Sequence, residues 1–404
     1  MHKYHHESHI AKHIHISRFL HNKYNNLLTA DTLRLIALSM VSLFVPIFLY
    51  KNLGISILQI SLYELYVFIA CIVFHYYVLL NISGWGVKRT LIISYFLNIF
   101  FYLILAISLP YISGFGVISF LIFLGIFDAT SSSFYWIAHH VYFLNATKAE
   151  NEGEKLGLLM GVPTFASIIS PLLGATVITI FGFYGSFFVS GLFMFIASMI
   201  LLYAENIIVA DLHMNFKKIL DFGGMRKNII FTIQGAGTVA TGFFWPILLF
   251  FLAVKLISIG FLYLISNLVY ALVSYFGGKR IDKNGSTGVG KFGAIGHGLS
   301  LILRALSTTI FGITTFQTMG GIFSGLLHVA LDGSFYKKAH NDMANNVMNR
   351  EFYMHIGRII IILVFILLLP LFTIIEASVI SLILSGALIF VLVLFFEKKY
   401  SIFN

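Results

Sequence analysis

The chain has 404 residues, of which 59% are hydrophobic and only 10% carry a charge, and its mean hydropathy is +0.92. A soluble protein cannot bury that much apolar surface, so this composition excludes a soluble fold and predicts an integral membrane protein. The net charge of +10 is spread over alternate connections between apolar segments, which excludes a nucleic-acid partner. The single cysteine, Cys71, excludes an internal disulfide.

A polar tail of 26 residues precedes twelve apolar stretches, each about long enough to cross a bilayer as a helix. These stretches are longer than barrel strands and do not alternate, so they predict an all-α membrane fold with twelve spans. The predicted spans are 28–50, 56–79, 90–110, 115–144, 156–181, 184–203, 228–253, 257–277, 290–311, 313–338, 353–374 and 377–396.

Basic residues cluster in every second connection, whereas the other connections contain only Lys51 and Lys255. Loops rich in Lys and Arg remain in the cytoplasm. We therefore predict a multi-pass protein of the plasma (inner) membrane with both termini cytoplasmic, which requires an even number of spans.

Three short markers recur in the same order about 200 residues apart, as expected for two tandem copies of one unit. They are Pro46-Ile47 with Pro246-Ile247, Gly86 with Gly285, and Ser133-Phe134-Tyr135 with Ser334-Phe335-Tyr336. Because each copy has six spans, the repeat predicts two six-helix bundles related by a pseudo-twofold axis along the membrane normal. The predicted units are a histidine-rich tail (1–26), an N-terminal bundle (27–203), a cytoplasmic linker (204–227), a C-terminal bundle (228–397) and a tail (398–404).

The loop after predicted span 8 carries Gly278, Asp282, Lys283 and Gly285, and this pattern resembles the signature loop of the major facilitator superfamily. The resemblance covers nearly all of the chain from residue 27. It implies a secondary transporter that works by alternating access, in which the loop locks one conformation through charge pairs. The corresponding first loop keeps Gly86, Lys88 and Arg89, whereas Leu79 and Ser83 occupy its other two signature positions.

Predicted span 5 contains Gly157, Pro171 and Gly174, which match three positions of the antiporter motif of the same family, and small residues occupy the other three. In the family this motif accompanies proton-driven export. Small residues and a proline also produce a closely packed, bent helix without any transport role.

Ionisable groups at membrane depth are costly and face a cavity or a partner. Asp128, at the middle of span 4, is interpreted as a proton site or as a partner of Arg34, and Glu64 as a proton or cation site. Gln234 and Trp136 are interpreted as substrate contacts.

Asp332 and Arg358 lie on consecutive spans and are predicted to form a structural or gating pair. Asp31 and Arg34 are spaced i, i+3 and share a helix face, although Asp31 can instead cap the first turn. We interpret Arg304 as a structural residue, and His139 and His140 as anchors at the membrane interface.

Seven histidines in the first 21 residues suggest an interfacial tail, or a metal-sensing one. We predict no metal site, no cofactor and no enzymatic activity. The preferred hypothesis is a monomeric proton-coupled antiporter, surrounded by lipid, that exports a small, partly apolar or cationic compound such as a drug-like molecule or a metabolite. The alternatives are a flippase for lipids or lipid-linked sugars, an uptake symporter for nutrients or metal, and a non-transporting metal sensor or receptor.

Overall fold

The computed structural model describes residues 23–108, 112, 116–146, 162–203, 212, 214–220 and 224–396. Apart from short turns, these residues are helical, and successive long helices run in opposite directions. We label them α1 (Asn25–Lys51), α2 (Ile57–Trp85), α3 (Val87–Ala106), α4 (Val117–Ala146), α5 and α6 (together Val162–Leu202), α7 (Met225–Phe251), α8 (Leu256–Asn284), α9 (Ser286–Leu306), α10 (Ile310–Ala339), α11 (Met343–Leu368) and α12 (Ile374–Phe395).

Ten helices in the described part of the chain are long and apolar enough to cross a membrane. One of them, Val162–Leu202, has 41 residues and would extend for about 62 Å, twice the thickness of the hydrocarbon layer. It breaks at Gly182, whose φ of 73° lies in the left-handed region, and therefore forms two spans. Ser286–Leu306 is also long enough but is rich in glycine and carries charge. Together these helices make the predicted twelve.

The recurring sequence markers occupy equivalent structural positions. Pro46 and Pro246 each follow a local break in helix geometry, a 3-10 turn at Ser42–Phe44 and a π-helical turn at Ala240–Phe244. Gly86 and Gly285 each separate two helices with a positive φ, 83° and 79°. The predicted pseudo-twofold arrangement of two six-helix bundles is therefore confirmed.

Within each half, pairs of helices approach closely through glycine. A Cβ added at Gly174 of α5 would lie 2.0 Å from the Met40 carbonyl oxygen of α1. In the second half, α7 and α11 meet in the equivalent way, because a Cβ at Gly235 or Gly357 would strike the backbone of the facing helix. These contacts leave no room for movement between the two helices of each pair.

The two halves meet mainly along α2 with α11 and along α5 with α8. We call the end of the bundle that carries Lys88, Arg89, Lys217, Lys218, Lys279 and Lys337 the basic end. At the other end, Tyr50 of α1 packs edge-on against Phe250 of α7, with ring centroids 6.0 Å apart. Contacts between the halves therefore exist on both sides of the membrane centre.

The predicted start of span 11 was wrong by ten residues (353 against the observed 343). Its first turns are polar, and hydropathy alone therefore assigns them to a loop. In the structure they are buried by protein: Asn349 Nδ2 donates to the Ile219 carbonyl at 2.7 Å, and Asn345 Oδ1 accepts from the Asn215 amide at 2.8 Å. The short linker helix Phe216–Leu220 is thereby fastened to α11.

Replacing Gly174 by Ala should lower the free energy of unfolding by about 1–3 kcal/mol, because α1 and α5 must move apart. Gly191→Ala is the matched control, since no atom lies within 4 Å of the added Cβ. Alanine also favours helix there by up to about 1 kcal/mol. Thermal unfolding in detergent compares the two variants, and equal melting temperatures would contradict close packing at Gly174.

Candidate functional site

A cavity of about 300 Å³ lies between the halves near the centre of the membrane and is lined by α1 to α4, α7 and α11. Asp128 and Glu64 both line it from the first half, and Arg358 lines it from the second. Tyr63 Oη donates to Asp128 Oδ2 at 2.7 Å. Arg358 Nε donates to Thr238 Oγ1 at 3.2 Å. Two carboxylates of the first half and one guanidinium of the second thus line a single cavity.

A larger cavity of about 470 Å³ continues from the first toward the basic end and shares Asn98 and Asp128 with it. Asp31 of α1 lies here and accepts from Tyr135 Oη at 2.9 Å and from His139 Nδ1 at 2.8 Å. Asp31 is well inside α1, so the capping interpretation was wrong. Tyr95 of α3 also donates to Asp31 Oδ1 at 3.4 Å, whereas Arg34 places its guanidinium carbon 3.2 Å from the Tyr135 ring centroid.

A buried polar network borders the same cavity. Arg350 of α11 donates to Asp332 Oδ1 at 3.0 Å and to Glu351 Oε1 at 2.9 Å. It also lies 2.9 Å from His140 Nε2, and His140 Nδ1 lies 2.7 Å from Tyr336 Oη. Since His140 belongs to α4, this network joins the two halves.

Two sequence predictions are corrected by this network. The predicted pair of Asp332 with Arg358 was wrong, because Asp332 binds Arg350. α10 and α11 run antiparallel from the turn at His340–Asp342, so Asp332 faces a residue near the start of α11, and Arg358 lies about 12 Å further along. His139 and His140 were wrongly interpreted as interfacial anchors, since both are buried in polar contacts.

The remaining predicted substrate contacts lie around these cavities. Gln234 Nε2 donates to Asp332 Oδ1 at 3.4 Å and also lines a third cavity, described below. Trp136 lines the larger cavity and stacks on His140 with ring centroids 5.8 Å apart. The structure therefore places Trp136 in the cavity between the halves, and Gln234 within the second half.

The third cavity, of about 260 Å³, lies inside the second half among α7 to α10. It is lined by Arg304 of α9, which is only 3% exposed, and by His297 and Gln317. Among the described residues, Arg304 Nε, His297 Nδ1 and Gln317 Oε1 have no hydrogen-bond partner. Gly320 makes room for the guanidinium, since an added Cβ would lie 1.5 Å from Arg304 Nη2. Sequence reasoning missed this cavity because α9 was assigned a scaffold role.

The predicted loop residues lie at helix ends on the basic end. Lys88 Nζ donates to the Leu202 carbonyl at 2.5 Å and so satisfies the last turn of α6, and Arg89 is exposed beside it. Gly278 lies near Val329 of α10, with an added Cβ 3.7 Å from its Cγ1. Asp282 and Lys283 are in the last turn of α8, where only the backbone is described. Pro171 follows the bend that starts the second part of α5, and Gly157 lies outside the described residues.

The salt bridge between Lys218 of the linker helix and Asp342 at the start of α11 lies at the membrane surface, at 2.8 Å. Partial burial raises the pKa of Asp342, but hydrogen bonds from Lys218 and Asn345 outweigh this effect and hold the pKa below its usual range. The contribution of this pair to stability is therefore present at neutral pH and is lost as acid protonates Asp342.

The profile of the Major Facilitator Superfamily matches residues 27–348. Among solved structures, the human organic anion transporter MFSD10 (TETRAN) has a TM-score of 0.67 at 9% identity, covering 93% of this chain and 99% of its own. The nucleoside transporter NupG has TM-scores of 0.67 and 0.64 in two structures, at 13% and 14% identity, and each covers 93% of this chain and 98–99% of its own. No curated protein sequence matches closely enough to count as a relative.

This chain therefore belongs to the major facilitator superfamily. It is a multi-pass membrane protein with the twelve-helix fold of these transporters, and the structural neighbours extend the likeness over nearly the whole chain.

Replacing Arg350 by Gln should lower the free energy of unfolding by about 3–5 kcal/mol, because two buried carboxylates lose their cation. Lys218→Gln is the control: its partner Asp342 is partly exposed, so the change should stay within about 1 kcal/mol. Melting temperatures of the two purified variants test this contrast. A mild effect of Arg350→Gln would mean that the network does not stabilise this state.

Proposed function

We propose that this protein is a proton-coupled secondary transporter that works as an antiporter and exports a small organic compound. The proposal places it in the plasma membrane with both termini cytoplasmic, so that the basic end faces the cytoplasm. The observation that carries the proposal is the shared cavity in which Asp128 and Glu64 of one half face Arg358 of the other.

A carboxylate at the centre of a membrane remains charged only while donors or cations stabilise it. Tyr63 supplies a donor to Asp128, and Arg358 supplies a positive charge on the opposite wall of the cavity. Protonation of Asp128 or Glu64 removes the attraction between the walls, and deprotonation restores it. Because each of these states favours a different arrangement of the halves, proton movement can drive alternating access.

The packing of α5 supports antiport as the form of coupling. Gly174, at the position of the antiporter-like motif, brings α5 directly onto α1, and Pro171 lies where α5 meets Gly260 of α8. A Cβ at Gly260 would lie 2.7 Å from the Pro171 carbonyl oxygen. The motif therefore occupies both a contact inside the first half and a contact between the halves, where it can influence their movement.

The substrate suggested by the central cavity is a cation with an aromatic or apolar body. Phe68, Phe101, Tyr102 and Phe243 line the cavity together with the two carboxylates. Aromatic faces attract organic cations, and a carboxylate that binds such a cation cannot at the same time hold a proton. Competition of this kind at Asp128 or Glu64 would exchange substrate for proton.

Replacing Asp128 by Asn should abolish movement driven by a pH gradient, because the amide cannot release a proton. The measurement uses proteoliposomes loaded with ethidium, as a fluorescent aromatic cation, under an imposed pH gradient. Wild-type protein should move ethidium, whereas the variant should fall to the level of protein-free vesicles. Asp342→Asn, a surface carboxyl at the basic end, should keep full movement.

Thermal unfolding of the Asp128→Asn protein checks that it is folded, and Glu64→Gln provides a second test of the same cavity. Retained gradient-driven movement in both variants would remove these carboxylates from proton coupling.

A second candidate substrate, an organic anion, is favoured by the Arg304 cavity. A buried guanidinium whose Nε has no hydrogen-bond partner among the described residues carries a large desolvation cost, which an anionic group would offset. Gly237, Thr238 and Gly242 of α7 separate this cavity from the central one, and Thr238 and Gly242 line both. A ligand could therefore reach Arg304 through the central cavity.

Benzoate serves as the probe for this second candidate. It should raise the melting temperature of the wild-type protein and leave that of Arg304→Gln unchanged, because a ligand stabilises only the state that binds it. Arg226→Gln, at the basic end and outside the cavities, should respond like the wild type. If benzoate shifts none of the three proteins, Arg304 has a purely structural role.

A further inference from the structure

Two pairs of potential metal ligands face each other across the interface of the halves. Cys71 and His75 are spaced i, i+4 on α2, and Glu351 and His355 have the same spacing on α11. One ligand atom from each of Cys71, His75 and His355 can be chosen so that all three lie within 4.8 Å of one another. Glu351 Oε2 lies 3.6 Å from His75 Nε2. All four side chains are at most 2% exposed.

We propose that these residues bind one divalent transition-metal ion of the Zn²⁺ class, and that the ion ties the two halves together where α2 packs against α11. The proposal does not depend on proton coupling or on the identity of the substrate.

The orientation of His75 is that of a metal ligand. Its Nδ1 lies 2.5 Å from the Cys71 carbonyl oxygen and 3.0 Å from Ser133 Oγ, so Nδ1 carries the proton and Nε2 carries the lone pair. Nε2 is buried and has no hydrogen-bond partner in the described part of the chain. Metal-binding histidines show this pattern, in which one ring nitrogen donates to a carbonyl while the other faces the ion.

The distances fit a tetrahedral site after small side-chain movements. With metal bonds of about 2.0–2.3 Å, tetrahedral ligand atoms lie about 3.3–3.7 Å apart. The separation of 3.6 Å between Glu351 Oε2 and His75 Nε2 already falls in this range, and the chosen atoms of Cys71, His75 and His355 lie within 4.8 Å of one another. Glu351 is not one of those three residues and completes the site through a movement of its side chain. Arg350 and His140 both form hydrogen bonds with Glu351 Oε1, so Glu351 Oε2 is available to bind the ion.

The ligand types select the class of ion. A thiolate and two imidazoles favour Zn²⁺, Co²⁺ and related ions, whereas Mg²⁺ and Ca²⁺ prefer sites made wholly of oxygen. Binding releases the Cys71 proton, so the thiolate and Glu351 together balance the charge of the ion. Arg358 contacts His355, and its positive charge disfavours the binding of another cation nearby. The carboxylates of Glu64 and Asp128, which line the same cavity as Arg358, offset part of this repulsion.

The histidine-rich segment at residues 2–21 points independently to the same chemistry. Its seven imidazoles are ligands of the same type as His75 and His355, and a segment of this composition can raise the local concentration of such ions. An ion held by both α2 and α11 prevents these helices from separating, so metal binding should arrest alternating access.

Cobalt absorption of the purified full-length protein tests the site directly. Because Cys71 is the only cysteine, a thiolate-to-cobalt charge-transfer band reports this site alone, even while the histidine segment also binds Co²⁺. We expect the band to saturate at one ion per chain and to disappear when Zn²⁺ displaces the cobalt. Zn²⁺ should also raise the melting temperature of the wild-type protein by mass action.

Variants then separate a four-ligand site from a cysteine that binds cobalt alone. Cys71→Ser should remove the band, and His355→Asn should weaken Co²⁺ binding by at least about 10–100-fold. Ser133→Ala, which removes a contact to His75 Nδ1, should weaken it by about tenfold. His6→Asn in the histidine segment should leave the band unchanged.

Two results would overturn the proposal. One is the absence of a thiolate band at saturating Co²⁺ in folded wild-type protein. The other is a band that His355→Asn leaves unchanged, because the ion would then not bridge the halves. A cluster without metal would be a packed His75–Glu351 contact only.

Discussion

The contact between the two halves toward the basic end depends on one guanidinium. Arg350 of α11 holds Asp332 of α10 and Glu351 of its own helix, and it reaches His140 of α4 on the opposite half. Buried carboxylates are tolerated only when a cation and hydrogen bonds satisfy them. We therefore expect the members of this network to form their contacts together and to lose them together. Such a contact suits a moving interface, because it can be exchanged for another set of polar partners when the halves separate.

The packing inside each half follows a different rule. α1 meets α5, and α7 meets α11, through glycines whose neighbours are backbone atoms of the facing helix. Contacts of this kind cannot rearrange gradually, so the packing inside each half favours a rigid unit. Between the halves, polar and aromatic contacts dominate at α4–α11 and α1–α7, and one glycine contact joins them, where Gly260 of α8 meets Pro171 of α5.

Several features of the site follow from the fold and could be inferred from the sequence in part. The positions of Asp128 and Glu64 on a common cavity were suggested by the cost of charge in lipid, which requires such groups to face inward. Their exact partners could not be inferred, because hydropathy gives no relative rotation of the helices. Asp332 was assigned to Arg358 and binds Arg350, and His139 and His140 were assigned to the interface and are buried.

The four residues at the α2–α11 interface also show that contacts between helices cannot be predicted from the sequence alone. The i, i+4 spacing of Cys71 with His75, and of Glu351 with His355, is visible in the sequence and places each pair on one helix face. Only the packing of α2 against α11 brings the two faces together. The Arg304 cavity was missed for the same reason, since the opening at Gly320 is a property of two helices in contact.

The sequence by itself determined the membrane class, the twelve helices and the twofold repeat. Apolar length, the alternation of basic loops and recurring prolines and glycines act locally, and each can be identified without knowing its neighbours. The tertiary structure decided which charges pair, where cavities open and which side chains from separate helices meet. Those properties depend on helix rotation and register, which are fixed by packing of side chains distant in sequence.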